Sequence, residues 1–338
     1  RDTPVRAQVL NFILGNNGPD GLLGNEGDDW LEGGEGFDSL SGENSQLFFN
    51  STIIGHDVLN GQGNDTDYDG ESGDDIMVQG AGIQRNNGML GFDWAIHKGD
   101  PMAANSDLGI PIFGQQGPFI LRDRFDSVEG LSGWKFDDVL IGTVRPTGAA
   151  VEGGGGIIGG PETDSQLLQK NVALINGFQE LLGKPALANG EAAVFDPSAG
   201  ADILIGGAGS DKITGKNGND LIDGDAWLNV RVSVRSKTDP NVEIRSVDTI
   251  ADLKSDMLAG LINPGQLRIV REILQSTTKA SEIDQAIYSD LRANYDITRN
   301  VDNTWTVAHA RGTATDGVDT IRNIEELVRQ LATALPGI

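Results

Sequence analysis

Residues 15–41 read GNNGPDGLL, GNEGDDWLE and GGEGFDSLS, which are three successive units of nine residues. Glycine recurs at the first and fourth places of these units, aspartate at the sixth and leucine at the eighth. The aspartates are Asp20, Asp29 and Asp38, and the leucines are Leu22, Leu31 and Leu40. The pattern G-G-x-G-x-D-x-U-x predicts a parallel β-roll, in which each unit forms one glycine-rich turn and one short strand.

The spacing of the aspartates indicates a cation-binding site. Two units complete one coil, so residues ~18 apart stack at the sheet spacing of ~4.8 Å. Asp20 is then expected to lie on Asp38, and two carboxylates so close repel each other unless a cation lies between them. Calcium suits such a site because it binds carboxylate and backbone carbonyl oxygens. The alternative is a flexible linker rich in glycine and aspartate, but a linker has no reason to keep leucine in phase.

Further units extend the pattern along the chain. A first array continues with interruptions to Asp93, a lone unit surrounds Asp138, and a second array covers residues 200–226. The predicted side-chain ligands of calcium are Asp20, Asp29, Asp38, Asp57, Asp65, Asp75, Asp93, Asp138, Asp202, Asp211 and Asp220. The predicted carbonyl ligands are those of Gly15, Gly24, Gly33, Gly206 and Gly215. The later matches could also arise by chance, above all at Asp65 and Asp93.

Spacing also suggests how the carboxylates divide between the two edges of the roll. Asp20, Asp38, Asp57, Asp75 and Asp93 are expected along one edge, with a β-bulge absorbing the 19-residue step from Asp38 to Asp57. Asp29 and Asp65 are expected on the opposite edge, and Asp202 is expected to stack on Asp220. Whether the two arrays form one roll is left open by the sequence.

The chain divides by composition into four regions. Residues 1–143 hold the first array with its insertions, 144–199 a glycine-rich linker and a helix, 200–226 the second array, and 227–338 a mixed α/β cap of the kind that a repeat stack requires. Apolar spacing predicts a helix over 164–183 that packs on the roll. In the cap it predicts a strand at 229–236, helices at 247–261, 264–274 and 280–293, a hairpin over 295–308 and a closing helix to about Ala334. The predicted fold class is therefore mainly β, a calcium-loaded parallel β-roll solenoid with inserted loops and helices.

Charge and residue content exclude several classes of function. The chain has 338 residues, 50 acidic and 25 basic, and a net charge of −25. Such a charge opposes compaction unless it is neutralised, and it argues against nucleic acid as a partner. Cysteine is absent, so disulfides and thiolate metal sites are excluded. No apolar run approaches the ~20 residues that a membrane span needs. We expect the chain, which starts at Arg1 without a visible signal peptide, to be a piece of a longer protein.

Catalytic motifs are not evident in the sequence. His56, His97 and His309 are not at metal-ligand spacing, and they define no serine–histidine–acid set. The chain has three Asp-Pro bonds, Asp100-Pro101, Asp196-Pro197 and Asp239-Pro240. Some calcium-dependent modules cleave such a bond in themselves, although Asp-Pro is also a common turn dipeptide. The paired aspartates are better interpreted as calcium ligands than as acid–base catalysts.

The nonapeptide units resemble the hemolysin-type, or RTX, repeats of secreted bacterial proteins. Three further stretches resemble the RTX segment attached to secreted bacterial animal-type heme peroxidases. They are residues 88–101 (GMLGFDWAIHKGDP), 123–142 (DRFDSVEGLSGWKFDDVLIG) and 315–327 (TDGVDTIRNIEEL). That resemblance implies a peroxidase domain outside this chain, and some members of the family are linked to manganese(II) oxidation. The family's heme-binding histidine and distal histidine–arginine pair have no counterpart here, so no heme and no catalytic residue are expected in this segment.

These observations lead to one main hypothesis and two alternatives. The main hypothesis is a non-catalytic calcium-binding module that folds on calcium after secretion and scaffolds a larger protein, such as a peroxidase. The RTX resemblance implies bacterial secretion by a type I machinery, in which low cytoplasmic calcium keeps the repeats unfolded and external calcium folds them. The expected partners are calcium, that machinery and the remainder of the parent chain. The alternatives are a self-processing Asp-Pro module and an adhesive solenoid that binds glycans through exposed calcium.

Overall fold

Short strands at the repeat spacing build the molecule. The computed structural model describes residues 10–43, 54–112, 121–144, 166–195, 200–277 and 281–329. The strands up to residue 141 are β1 (Phe12–Asn17), β2 (Gly21–Leu23), β3 (Trp30–Glu35), β4 (Asp38–Ser41), β5 (Val58–Gln62), β6 (Thr66–Asp69), β7 (Ile76–Val78), β8 (Gln84–Asn87), β9 (Trp94–Ile96), β10 (Asn105–Asp107), β11 (Arg124–Asp126), β12 (Gly130–Ser132) and β13 (Val139–Ile141).

The second half adds longer strands and short helices. In chain order they are β14 (Leu167–Leu168), α1 (Gln169–Val172), α2 (Phe178–Leu182), β15 (Ala193–Phe195), β16 (Ile203–Ile205), β17 (Lys212–Thr214), β18 (Leu221–Asp223), β19 (Ala226–Arg235), β20 (Glu243–Val247), α3 (Lys254–Leu258), β21 (Leu267–Gln275), β22 (Gln285–Tyr288), β23 (Tyr295–Arg299), β24 (Trp305–His309), β25 (Val318–Arg322) and β26 (Glu326–Arg329). Turns of 3-10 helix occupy Ile250–Leu253, Pro264–Gln266 and Arg292–Asn294.

Three sheets form the roll. Sheet I has the order β1-β3-β5-β7-β9-β12-β16-β18-β25-β24-β23, and it is parallel from β1 to β25. Opposite it lie sheet II, β2-β4-β6-β8-β11, and sheet III, β10-β13-β17-β22-β26, both parallel. The predicted mainly β architecture with parallel sheets is confirmed. Because β12 pairs with both β9 and β16, the two repeat arrays belong to one sheet.

Alternation along the strands of sheet I separates two hydrophobic clusters. The eighth-place residues, such as Leu31, Leu59 and Met77, are buried in the roll interior. Their neighbours Trp30, Val58 and Ile76 point to the other face, where they pack in a second cluster with α2 and β19. Successive side chains of a strand point to opposite faces, so β3, β5, β7 and β9 each contribute residues to both clusters.

Two inserted units cover the outer face of sheet I. The first is the segment β14–α1–α2–β15, which replaces the single helix predicted over 164–183. That prediction is wrong because Gly177 adopts a left-handed backbone (φ 82°) between α1 and α2. Its packing on the roll is confirmed, since the Phe178 ring lies 5.8 Å from that of Trp94.

The second inserted unit is an antiparallel sheet in the order β20-β19-β21. β19 confirms the strand predicted at 229–236, and α3 with the preceding 3-10 turn confirms part of the helix predicted at 247–261. The helix predicted over 264–274 is wrong, since β21 pairs with β19 along nine residues. Residues 226–275 therefore form an outer layer on the roll, which we call the β19–β21 layer.

The C-terminal region adds strands to the roll instead of helices. The helix predicted over 280–293 is wrong where β22 pairs with β17. The start of the closing helix is wrong where β26 joins sheet III, and β25, in the stretch before it, joins sheet I. Any continuation of that helix beyond residue 329 lies outside the described residues. The hairpin predicted over 295–308 is confirmed by the antiparallel pairing of β23 with β24. No helix in the described part of the chain is long and apolar enough to cross a membrane.

Candidate metal sites

Carboxylates precede most strands of sheet I and form a continuous row, which we call ladder 1. At most steps of the row, one carboxylate oxygen accepts the backbone N–H of the preceding ladder residue. The N···O distances are 2.6 Å from Asp29 to Asp57, 2.6 Å from Asp57 to Asp75 and 2.7 Å from Asp75 to Asp93. The step to Asp202 differs, since its carboxylate accepts the N–H of Thr143, while the N–H of Glu129 donates to the carbonyl of Asp93. In strand order ladder 1 comprises Asn11, Asp29, Asp57, Asp75, Asp93, Glu129, Asp202, Asp220 and Asp319.

Two shorter rows run along the opposite edge of the roll. Ladder 2 precedes sheet II and contains Asp20 and Asp38, with the N–H of Asp20 2.9 Å from Oδ1 of Asp38. Ladder 3 precedes sheet III. In strand order ladder 3 comprises Ala104, Asp138, Asp211, Asp284 and Glu325.

The predicted division of aspartates between the edges is wrong. Asp29 stacks with Asp57, 28 residues away, and both lie on ladder 1 with Asp75 and Asp93, whereas Asp20 and Asp38 lie on ladder 2. The reason is that residues between Gly42 and Asp57 are an insertion within one turn, so no β-bulge between Asp38 and Asp57 is needed. Asp202 does stack on Asp220, as predicted.

Asp65 lies outside all three ladders. Thr66 is the residue that pairs with Asp38, so Asp65 is one place out of register. Its side chain is exposed and accepts the N–H of Ile83. The stacking predicted between Asp29 and Asp65 is therefore wrong.

The first glycine of each turn faces the second oxygen of the ladder carboxylate. A methyl group built on the α-carbon of Gly24 would collide with Oδ2 of Asp29 and with the carbonyl oxygen of Gly42 in the next coil. The same convergence of glycine, carboxylate and next-coil carbonyl recurs along the roll, at Gly15, Gly42, Gly70, Gly88, Gly133, Gly142, Gly206 and Gly224. Glycine is needed here for space, because any side chain would fill the gap between the two oxygens.

These carboxylate oxygens lack a donor. Oδ2 is buried and accepts no hydrogen bond from the described residues in Asp20, Asp29, Asp38, Asp57, Asp93, Asp211 and Asp220. Oδ2 of Asp138 and Asp202 differs, since it accepts the N–H of Trp134 and of Thr143 respectively. A buried acceptor without a partner costs ~1–3 kcal/mol, and more when it is charged. A cation between the carboxylate and the carbonyl would remove that cost.

The first position of ladder 1 provides an internal comparison. Asn11 stands where every following coil has a carboxylate, and its backbone N–H donates to Oδ1 of Asp29 as an aspartate's would. Its side-chain amide donates to the carbonyl of Gly24 at 2.8 Å. In the next coil the corresponding pair is Oδ2 of Asp29 and the carbonyl of Gly42, two acceptors facing each other. The amide supplies the positive partner that a bound cation would supply elsewhere.

Of the predicted carbonyl ligands, Gly33, Gly206 and Gly215 present their carbonyl oxygens to Asp20, Asp138 and Asp202. At Gly15 and Gly24 the α-carbon, and not the carbonyl oxygen, lies next to the carboxylate of its own turn. The carbonyl oxygen of Gly24 accepts the side-chain amide of Asn11. Within the described ranges, no three His, Cys, Asp or Glu side chains converge on a point. A cation in these turns would therefore depend on backbone carbonyls for many of its ligands, as calcium does.

Burial raises the pKa of Asp29, Asp93 and Asp211 on the ladders. Burial raises the pKa of Asp29 to about 7 and that of Asp211 to about 8. For Asp93, burial raises the pKa well above its usual range, and the neighbouring charges of Asp75 and Glu129 add to the effect. Without a cation the folded roll therefore favours protonated carboxyls, and a cation would favour the charged form.

Sequence reasoning missed several ladder members. Glu129, Asp284, Asp319 and Glu325 stand in segments without the nonapeptide pattern. A weak signal exists, because Asp319 and Asp284 each lie two residues before an inward residue, Ile321 and Ala286, as Asp220 does before Ile222. The insertions between turns hide the spacing that would have identified them.

A serine–histidine–aspartate arrangement also escaped the sequence analysis. Nδ1 of His97 lies 3.2 Å from Oδ2 of Asp100, and Nε2 lies 2.8 Å from Oγ of Ser106. Ser106 is 1% exposed, so its hydroxyl is closed to any substrate. The hydrogen bonds among these three side chains connect the loop after β9 with β10.

Both Asp-Pro pairs within the described residues form turns. Oδ1 of Asp100 accepts the N–H of Met102, and Oδ1 of Asp239 accepts the N–H of Asn241, each at 3.0 Å. This is the bond by which aspartate stabilises a turn two residues on. Asp196-Pro197 lies outside the described residues.

Comparison with family models identifies the repeats. Residues 11–45 and 197–226 match the RTX calcium-binding nonapeptide repeat, with four copies in total. The chain therefore carries RTX repeats over these two ranges, and both ranges contribute strands to sheet I. A comparison with curated proteins finds no similar sequence.

Proposed function

We propose that this chain is a calcium-dependent folding module in which calcium ions occupy the turns of ladders 1, 2 and 3. The observation that carries the proposal is the row of buried Oδ2 atoms that face backbone carbonyls without a donor, together with the amide of Asn11 at the first position of ladder 1. The predicted ligands other than Asp65 lie on these ladders, and Glu129, Asp284, Asp319 and Glu325 extend them.

Charge explains why folding would depend on calcium. The net charge is −25, and the ladders stack acidic residues of successive coils next to one another. Each ion would contribute its binding free energy to folding, because the unfolded chain holds no preformed site. Low calcium would leave the chain expanded, and millimolar calcium would close the roll.

We further propose that the module belongs to a secreted bacterial protein and leaves through a type I machinery while unfolded. The support is the presence of RTX repeats, which are typical of such proteins. Its role would be a rigid scaffold for the remainder of the parent chain. A heme peroxidase as that parent rests on the resemblance of residues 88–101, 123–142 and 315–327 alone.

A calcium titration tests the proposal directly. Protein stripped with chelator is followed by far-UV circular dichroism while free calcium rises to millimolar levels, with magnesium as the control ion because it demands a tighter octahedral site. We expect a large gain of β signal with calcium and little with magnesium. An unchanged spectrum in calcium, or an equal response to magnesium, would contradict the proposal.

A further inference from the structure

Two turns of the roll are split by the inserted units. An ordinary turn has its ladder aspartate five residues after its first glycine, as in Gly24 and Asp29. Gly142 faces Asp202 and Gly224 faces Asp284, in both cases 60 residues later in the sequence. The turn that begins at Gly224 therefore contains the whole β19–β21 layer between its two ends.

The Gly224–Asp284 turn has the same construction as the repeat turns. The N–H of Asp211 donates to Oδ1 of Asp284 at 2.8 Å, and the N–H of Asp284 donates to Oε2 of Glu325 at 2.8 Å. A methyl group on Gly224 would collide with Oδ2 of Asp284 and with the carbonyl oxygen of Asn323. Asp284 is 1% exposed and lies outside the matched nonapeptide repeats.

The neighbouring coil, which contains Asp211, supplies a buried acceptor without a donor, and such an acceptor indicates a bound ligand. Oδ2 of Asp211, a fully buried residue, accepts no hydrogen bond from the described residues and converges with the carbonyl oxygen of Gly224. Four oxygen atoms thus lie on successive coils of one edge, from Asp211, Gly224, Asp284 and Asn323. They include two carboxylates and two carbonyls, which is the donor set that calcium prefers.

We infer that Asp284, Gly224 and Asn323 complete a calcium site with Asp211 outside the nonapeptide repeats, and that the bound ion clamps the two ends of the β19–β21 layer onto the roll. The inference rests on the proposed function. Its consequence is specific, since closing a loop of 60 residues costs conformational entropy that an ion shared by both loop ends would offset.

We expect two different substitutions to remove the same calcium ion, the one bound by Asp211 and Asp284. Asp284→Asn keeps an oxygen for the N–H of Asp211 but loses the charge, and Gly224→Ala fills the gap between the oxygens without changing charge. Asp239→Asn is the matched control for the first, because Asp239 is exposed in the same inserted layer. Gly21→Ala is the control for the second, since nothing lies within 4 Å of a methyl group there.

Bound calcium per chain is counted by metal analysis after equilibrium dialysis of the full chain, with hydrogen exchange of residues 226–275 as the second readout. We expect each test variant to bind one ion fewer than wild type and to exchange faster in β19 and β21, with both controls unchanged. Circular dichroism in saturating calcium verifies that each variant is folded. A folded Asp284→Asn or Gly224→Ala protein with the wild-type ion count and protection overturns the inference, whereas a wild-type chain that binds no calcium overturns the proposed function itself.

Discussion

The residue that defines the ladders is an aspartate with two different oxygens. Oδ1 accepts a backbone N–H of the neighbouring coil and fixes the register, as Asp57 does for Asp29. Oδ2 faces a carbonyl and has no donor. An asparagine side chain can replace the second interaction by donating its amide to the carbonyl, which is what Asn11 does with the carbonyl of Gly24.

Replacing Asn11 by aspartate should therefore make its turn calcium-dependent. Asn11→Asp removes the bond to the Gly24 carbonyl and adds a charge beside Asp29, which should cost ~1–3 kcal/mol in the free energy of unfolding without calcium. Saturating calcium should restore most of that loss. Denaturant unfolding in chelator and in calcium measures both values, with Asn17→Asp at an exposed position as control. A loss of the same size in both conditions would show that no ion enters the new site.

Asp57 and Asp65 should respond differently to the same substitution. Asp57 is buried in ladder 1, and Asp65 is exposed and out of register. We expect Asp57→Asn to lower the number of bound calcium ions or to weaken their binding at least tenfold, and Asp65→Asn to leave calorimetric calcium titrations unchanged. Equal behaviour of the two variants would mean that ladder position does not determine calcium binding.

At the scale of elements, the sequence predicts the strands of intact turns and fails where a turn is split. The phase of Leu22, Leu31 and Leu40 suffices to place β2, β3 and β4. Asp29 and Asp57 could not be matched, because the insertion after Gly42 replaces the 18-residue step with 28. The helix expected at 264–274 fits the spacing of Leu267 and Val270, but both are buried in β21, which pairs antiparallel with β19. Spacing alone does not distinguish these cases.

Docking of the outer layer depends on Glu32 in β3. Its buried carboxylate accepts hydrogen bonds from the indole of Trp30, the amide of Gln62 and, in the layer, the Thr249 hydroxyl and the N–H of Ile250. Glu32→Ala leaves these donors without an acceptor, so we expect a loss of ~2–4 kcal/mol in the free energy of unfolding and faster hydrogen exchange at Ile250. Glu35→Ala, at an exposed position of the same strand, is the control. Unchanged exchange at Ile250 in Glu32→Ala would show that the layer is held by its apolar contacts instead.

At the scale of the whole molecule, the roll combines a hydrophobic interior with rows of buried acidic groups. The interior is narrow, one residue from each strand, and it continues from Leu31 through Leu131 and Leu204 to Ile321 across both repeat arrays. The outer cluster adds the contacts of α2 and β19 on the other face of sheet I. Apolar packing thus supplies the roll with a core on both sides of one sheet, and the ladders along its edges determine under which conditions that core can form.

The ladders should make the pH dependence of stability change sign with calcium. Burial raises the pKa of Asp29 and Asp284 to about 7, of Asp138 to about 6 and of Asp211 to about 8, from 3.8 in the unfolded chain. Without calcium the folded state holds protons that the unfolded chain has released. The resulting stability is complete below the unfolded value and is lost as the pH rises through about 6–8. Melting temperatures in chelator should therefore fall from pH 5 to pH 8.

In saturating calcium the melting temperature should instead rise with pH, because protons and calcium compete for the same carboxylate oxygens. Scanning calorimetry in chelator and in saturating calcium gives the slope of melting temperature against pH under each condition. The ladder variant Asp211→Asn should flatten both slopes, since it removes the group with the highest of these pKa values, and the exposed Asp65→Asn should flatten neither. Slopes of equal sign in chelator and calcium would mean that the buried carboxyls are not where calcium binds.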